Sequence, residues 1–273
     1  MGASGFLGSR LLANAPRDLD TTGTGWNHPV RPGPWRDVLL DVTSPSAVRA
    51  LIERERPGLV FFAAYDKARR DVTVDGARAA ASAAAAAGAR FVLTSTDLVF
   101  DGQAGNYSET MPANPVMPYG QLKLEAETEA RDASNAAVIL RMSLLWGESG
   151  ITLRPAYECD NLLRALPIDA YTDEWRSPLH VDDAARAAWE LGVTDAEGVY
   201  HFGGPERLSR FELARRLCAI HGFAPALVRE ARRPEDRPAD TSLDSSRLLG
   251  FLGWAPRTVA PEPVSPEPVA LSA

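Results

Sequence analysis

Tyr119 and Lys123 lie four residues apart in a run, YGQLKLEAETEAR from Tyr119 to Arg131, whose composition favours helix, so the two side chains share one face. A free phenol, with a pKa of about 10, gives up its proton reluctantly near neutrality, and an ammonium group beside it favours the phenolate. The spacing therefore predicts an acid able to protonate a carbonyl oxygen during a reduction. An ordinary solvated helix face can carry the same Tyr-x-x-x-Lys spacing, so the assignment depends on what else the chain brings to the pair. The segment FVLTSTDLVFDG brings a hydroxyl. Its apolar run Phe91–Leu93 reads as a buried parallel strand delivering Thr94, Ser95 and Thr96 at the carboxyl end, where open α/β sheets bind ligands. Thr96 could hydrogen-bond the carbonyl oxygen that the phenol protonates. The plainer reading is a Ser/Thr turn leaving a strand, ahead of the Asp101-Gly102 turn.

A third feature is Gly2-Ala3-Ser4-Gly5-Phe6-Leu7-Gly8, a G-x-x-G-x-x-G loop opening into the helical run GSRLLAN. Bare backbone there can approach a pyrophosphate at a helix N-terminus, where orphan N–H groups and the helix dipole favour an anion. Such a loop normally follows a strand, yet here it begins at residue 2. In a doubly wound sheet of order 3-2-1-4-5-6 that strand is the central one, so the expectation is two neighbouring strands with unpaired facing edges. A start codon assigned too late would account for this, and the coding DNA should then encode an apolar strand in frame before Gly2.

The elements that must position these residues alternate between strand and helix. DVLLDV (Asp37 to Val42) reads as a strand, followed by a helix from Ser44 to Arg56 with Ser44 as cap and Pro45 in its first turn. Next come LVFFAA (Leu59 to Ala64), an alanine helix that Gly88 ends, the FVLTS strand, the Tyr119 helix and AAVILRMS (Ala136 to Ser143). The alternation predicts an α/β fold with a Rossmann-type, doubly wound parallel sheet over residues 1–147, lacking its first strand. Residues 148–257 read as mainly a smaller substrate lobe, with helices near Tyr157 to Ala165, Val181 to Leu191 and Ser209 to His221, and the strand GVYHF. Residues 258–273, with PEPV repeated, read as a disordered Pro-rich tail without chemistry.

Composition narrows the function. The 273 residues, 45% of them apolar, suffice for a large core. A net charge of −7 with both signs interspersed speaks against a nucleic-acid or anionic-membrane surface. Arg78 and Ser82 interrupt the alanine run, which is too short and too polar to span a membrane. Cys159 and Cys218 lie far apart without a partner motif, as expected of a cytoplasmic protein without a disulfide framework. No zinc spacing is present, and His180 and His201, beside or within apolar segments, read as structural, so no metal is expected.

With these segments in view, the chain resembles the extended short-chain dehydrogenase/reductases and, among them, the dTDP-4-dehydrorhamnose reductase family. The resemblance runs from about Gly2 to Arg257 on GASGFLG, DVTSPSAV, TSTDLVFDG, YGQLKLEAE, LRMSLLWG, HVDDAARA, GVYHFGGPERLSRFELA and RPADTSLDSSRL. It implies an NAD(P)-binding Rossmann domain, a carboxyl-terminal lobe for a nucleotide sugar, and reduction of a 4-keto deoxysugar nucleotide. Matched by motif, Thr96, Tyr119 and Lys123 are the catalytic trio, with Lys123 also expected on the nicotinamide ribose. Gly2, Gly5 and Gly8 are expected along the pyrophosphate with Phe6 and Leu7 beside it, Asp41 and Val42 at the adenine, and Ala63 and Ala64 along the cofactor. Substrate-side candidates are Asp97, Phe100, Arg141, Trp146 and Arg176. A homodimer is the assembly left open.

Departures from the family pattern qualify this expectation. Phe62 and Asp75 stand where similar proteins carry asparagines, which bears on cofactor geometry, and Met117 stands where asparagine is common. The substrate segment Asp-Gln-x-Gly-x-Pro-Thr becomes Asp173-Glu174-Trp175-Arg176-Ser177-Pro178-Leu179. Arg176 is thereby a candidate for a substrate phosphate or hydroxyl, or equally an ion-pair partner of Asp173 or Glu174. TTGTGWNHPVR, where the second strand should end, lacks an acidic residue for an adenosine ribose, which favours NADP(H) over NAD(H), with Asn27, His28 and Arg31 able to face a 2′-phosphate. Similar 4,6-dehydratases place Asp-Glu after the threonine, whereas Asp97 is followed here by Leu98, which counts against dehydration. A sugar-nucleotide epimerase would use the same trio. The family also contains a regulatory subunit of methionine adenosyltransferase, so a non-catalytic NADP-binding role is the third alternative.

Overall fold

The computed structural model describes residues 1–147 and 161–259. Cys159, most of the tail and the first residues of the helix expected from Tyr157 lie outside them. Parallel strands form the body of the fold in two blocks. One pairs β1 (Thr22–Gly25) with β2 (Arg36–Leu39), and the other has the order β10-β5-β4-β3, with β3 (Leu59–Phe62), β4 (Arg90–Thr96), β5 (Val138–Met142) and β10 (Gly198–Phe202). The expected α/β doubly wound architecture is present. β10 comes from the carboxyl-terminal half and closes the larger block by pairing in parallel with β5.

The expected gap between the blocks is also present. Residues 1–3 bridge it at its carboxyl end only. The Met1 amine donates to the Phe61 carbonyl, the Ala63 N–H to the Met1 carbonyl at 3.0 Å, and the Ala3 N–H to the Thr24 carbonyl at 2.8 Å. Below these bonds lies a cavity of about 400 Å³, lined by Met1, Gly23, Leu51, Ile52, Val60 and Phe61 among others. Burial pushes the pKa of the Met1 amino group down from 8.0 to about 5.

Helices cover both faces. On one, α2 (Pro45–Glu55), α3 (Gly76–Ala86) and α4 (Pro118–Ala133) pack Val48, Ile52, Ala80, Ala84 and Ala126 onto Phe62, Phe91 and Leu93. On the other, α1 (Phe6–Ala13) and α5 (Val181–Gly192) pack Leu7, Leu11, Ala184, Ala188 and Leu191 onto Val92, Val138 and Leu140. The alanines of α3 and α5 let the helix backbones lie close to the sheet. Ser44 caps α2 by accepting from the Ala47 N–H at 3.4 Å, and Pro45 stands in its first turn, as the sequence predicts. Gly88 follows α3 at φ +70°, a backbone that favours glycine.

The strand ends differ from the predicted ones. β2 stops at Leu39, because the Asp41 carboxylate accepts from the Thr43 N–H at 2.9 Å and hydroxyl at 2.7 Å and turns the chain into α2. β3 stops at Phe62, because Ala63 and Ala64 turn to meet residues 1 and 2. A single π-helical turn, Asp71–Asp75, precedes α3.

The remaining elements form a smaller cluster. β7 (Ile168–Tyr171) pairs in parallel with β12 (Val228–Ala231) beneath α6 (Arg210–Ile220), which buries Leu213 and Leu217 there. Ser209 and Glu212 close a capping box at the start of α6. Two short ladders, β6 (Leu145–Trp146) with β9 (Leu179–His180) and β8 (Trp175–Arg176) with β11 (Leu208–Ser209), tie the cluster to the carboxyl ends of the large sheet. α7 (Ser246–Leu252) packs beside β10.

Candidate active site

The glycine loop adopts a conformation that only glycine permits. Gly2 sits at φ +84°, and a Cβ there would lie 2.6 Å from the Ala64 nitrogen; on Gly8 it would lie 2.1 Å from the Gly2 carbonyl oxygen. Gly5 donates to the Gly2 carbonyl at 3.1 Å and caps α1. Bare backbone is thus pressed against the carboxyl end of β3 at the N-terminus of α1, the setting a dinucleotide pyrophosphate requires. Phe6 is half-buried beside this loop, and Leu7 turns into the core. The Asp41 carboxylate is engaged in its own turn, while Val42 packs against Gly76. Phe62, a departure with bearing on cofactor geometry, is fully buried against Phe91, on the core side of β3. Asp75 pairs with Arg70 at 2.7 Å, and Met117 is the residue before α4.

The Tyr119–Lys123 helix is held against the end of β4 by close packing. A Cβ on Gly120 would lie 2.0 Å from the Leu98 carbonyl oxygen, so α4 starts in direct contact with the turn that follows Thr96. Lys123 is 2% exposed, and its Nζ donates to the Thr94 carbonyl at 2.8 Å. Burial pushes its pKa down from 10.5 to about 8, partly offset by the Glu127 carboxylate. The Thr96 hydroxyl accepts from the Leu98 N–H at 3.3 Å and donates to Asp97 Oδ1 at 3.2 Å.

Tyr65, which the sequence reading passed over, joins the two halves of the site. Its ring lies 5.6 Å from that of Tyr119, and Lys123 Nζ stands 5.3 Å from its centroid. Ala63 and Ala64, the residues just before it, touch Gly2. The glycine loop and the phenol–ammonium pair therefore meet around the carboxyl end of β3. The available signal was an aromatic residue directly after a predicted parallel strand.

The substrate-side candidates are buried, the three charged ones in ion pairs and the two aromatic ones in apolar clusters. Asp97 and Phe100 are fully buried, and Arg141, Trp146 and Arg176 are nearly so. Arg176 Nε donates to Asp97 Oδ2 at 2.6 Å and a second guanidinium nitrogen donates to Oδ1, while Glu174 stands 3.6 Å away. Of the two expectations for Arg176, the structure shows an ion pair, with Asp97 and with Glu174. Asp97 also accepts from the Ser143 hydroxyl at 2.8 Å, and Glu174 is held by Arg237 at 2.7 and 3.0 Å. Arg141 is similarly engaged with Glu127 at 2.7 Å, which also accepts from the Ser95 hydroxyl at 2.5 Å. Trp146 stands edge-on to His180, and the His201 Nδ1 lies 2.9 Å from the Tyr107 carbonyl oxygen. Among the described residues, no cluster of His, Cys, Asp and Glu could hold a metal ion, and no helix is long and apolar enough to cross a membrane.

Comparison with known proteins gives a consistent result. The profile of the RmlD substrate binding domain matches residues 1–260. A probable dTDP-4,6-dihydroxy-2-methyloxan-3-one 4-ketoreductase of Streptomyces antibioticus is 32% identical over 275 residues, covering 93% of this chain and 88% of the relative. A dTDP-4-keto-6-deoxy-D-glucose reductase of Streptomyces niveus is 30% identical, covering 95% and 90%. The beta subunit of methionine adenosyltransferase 2 of Bos taurus is 29% identical, covering 94% and 82%. Among solved structures, a hypothetical dTDP-4-dehydrorhamnose reductase from Sulfolobus tokodaii superposes with a TM-score of 0.80 at 29% identity, covering 92% of this chain and 93% of the other. A dTDP-4-dehydrorhamnose reductase from Bacillus anthracis in complex with NADP gives 0.76 at 23% identity, covering 96% and 93%.

Proposed function

The chain belongs to the RmlD substrate-binding-domain family, and from that premise we propose that it is a reductase of a 4-keto deoxysugar nucleotide that uses a nicotinamide dinucleotide, with NADPH preferred. The supporting observation is the convergence at β3: Gly2 against Ala63 and Ala64, and Tyr65 against Tyr119 and Lys123. Gly2, Gly5 and Gly8 hold the pyrophosphate, Ala63 and Ala64 run along the cofactor, and Lys123 reaches its ribose. When bound, the cofactor supplies a hydride to the keto carbon. Tyr119 delivers the proton to the carbonyl oxygen and recovers it from solvent. The Lys123 ammonium, mostly protonated at pH 7 with a pKa of about 8, stabilises the phenolate left behind. The Thr96 hydroxyl exchanges its bond to Asp97 for one to the same carbonyl oxygen, lowering the barrier by preorganised hydrogen bonding.

Residues 1–147 with β10, α5 and α7 form the dinucleotide domain in this reading, and the other described residues of the carboxyl-terminal half form mainly the sugar-nucleotide lobe. Asp97, Phe100, Arg141, Trp146 and Arg176 shape its floor from behind. The preference for NADPH rests on the exposed stretch after β1, which offers Asn27, His28 and Arg31 and no carboxylate. The test is NADPH consumption against a panel of dTDP-4-keto-6-deoxy sugars. Stoichiometric oxidation supports the reductase, whereas isomerised sugar without net oxidation identifies an epimerase. The methionine adenosyltransferase relatives favour a second reading, a cofactor-binding subunit, which requires saturation with NADP(H) and no turnover across the panel.

A further inference from the structure

We propose that Tyr65 is a positioning residue that keeps Lys123 protonated in its buried seat by presenting the face of its ring to the ammonium. This rests on the catalytic reading of Lys123 given above. An ammonium is costly to bury without compensation, and Lys123 is 2% exposed. Its neighbours offer limited help. From β4 it meets the Thr94 carbonyl at 2.8 Å, a dipole and not a charge. Along α4 the facing groups are Tyr119, one turn before it, and Glu127, one turn after, and the Glu127 carboxylate is already engaged by Arg141 from β5 and by Ser95. From the segment after β3 comes the Tyr65 ring, 5.3 Å from Nζ to centroid and within reach of its negative face.

The position also suits a part that acts on the cleft side. Tyr65 is 42% exposed while Lys123 is buried, and its ring lies 5.6 Å from that of Tyr119 at 51°. It thus borders both members of the pair without being buried among the core residues that hold the sheet. A desolvated cation on an aromatic face gains enough to move an ammonium pKa upward by about one pH unit. Hydroxyl chemistry is not required for this effect, so phenylalanine should replace tyrosine and leucine should not.

The test is the titration of Lys123 itself, followed by NMR through its Cε and Nζ resonances in the full chain, in wild type, Tyr65→Phe and Tyr65→Leu. The Lys123 pKa is expected to stay in place in Tyr65→Phe and to fall by about one pH unit in Tyr65→Leu. The alkaline limb of kcat should move with it, while KM for the keto sugar changes less. Tyr65→Met serves as a second ring-free variant if leucine disturbs folding. An unchanged or raised Lys123 pKa in the ring-free variants overturns the proposal, as does a fall of equal size in Tyr65→Phe. Because the titration needs no turnover, its failure is distinguishable from failure of the reductase reading, in which the pKa shift would appear without any NADPH oxidation.

Discussion

Replacing Lys123 by methionine should abolish reduction and at the same time make the protein more stable at neutral pH. Burial lowers the Lys123 pKa from 10.5 to about 8, so at pH 7 the protonated side chain is worse off in the folded protein than in water by about 3 kcal/mol. Losing the hydrogen bond to the Thr94 carbonyl returns about 1 kcal/mol of that, leaving a gain of about 2 kcal/mol. For a chain of this size the gain corresponds to a rise in Tm of about 4 to 8 °C. The sign of the pH dependence follows from the lowered pKa. The folded state resists protonation, so the cost is full below pH 8 and fades as pH rises from about 8 to 10.5, where the unfolded lysine also loses its proton. Thermal and urea melts of wild type and Lys123→Met at pH 7 and at about pH 10.5 should therefore show a gap at the lower pH that closes at the higher. A variant less stable than wild type at pH 7, or a gap indifferent to pH, would refute the reasoning. A residue that destabilises the fold while equipping the site is a common mark of function.

Two further outcomes follow from the packing. Gly8→Ala forces a Cβ to within 2.1 Å of the Gly2 carbonyl oxygen, and calorimetry should find NADPH binding weakened at least about tenfold, because the loop must shift by enough to spoil its fit. Arg176→Met strands the Asp97 carboxylate in the interior and should destabilise by about 3 to 5 kcal/mol in urea melts, most of which the double variant with Asp97→Asn recovers.

What the sequence made legible was set by local rules. Ser44 with Pro45 and the glycine after the alanine helix mark helix ends because caps act within a few residues. The Tyr119–Lys123 spacing placed both groups on α4, and the loop starting at Gly2 anticipated the divided sheet. Partnerships across the chain were not legible. Arg176 meets Asp97 from 79 residues away, and Arg141 pairs with Glu127 through the packing of β5 on α4; neither pairing leaves a periodic trace. Arg176 read as a substrate-binding cation or as a partner of its chain neighbours Asp173 and Glu174, because only the fold supplies the buried Asp97 carboxylate that it meets. Tyr65 was passed over because its role depends on a helix more than fifty residues later, and β2 and β3 ended early because the Asp41 carboxylate turn and the backbone bond between Ala63 and Met1 take over there.

The central claim, that the Tyr119 phenol delivers the proton to a carbonyl held at the β3 crevice, is tested most directly by Tyr119→Phe. NADPH affinity from calorimetry and NADPH oxidation against a dTDP-4-keto-6-deoxy sugar should be measured on the same protein. The variant is expected to bind NADPH as wild type does and to turn over at least about a hundredfold more slowly. Turnover equal to wild type would contradict the account.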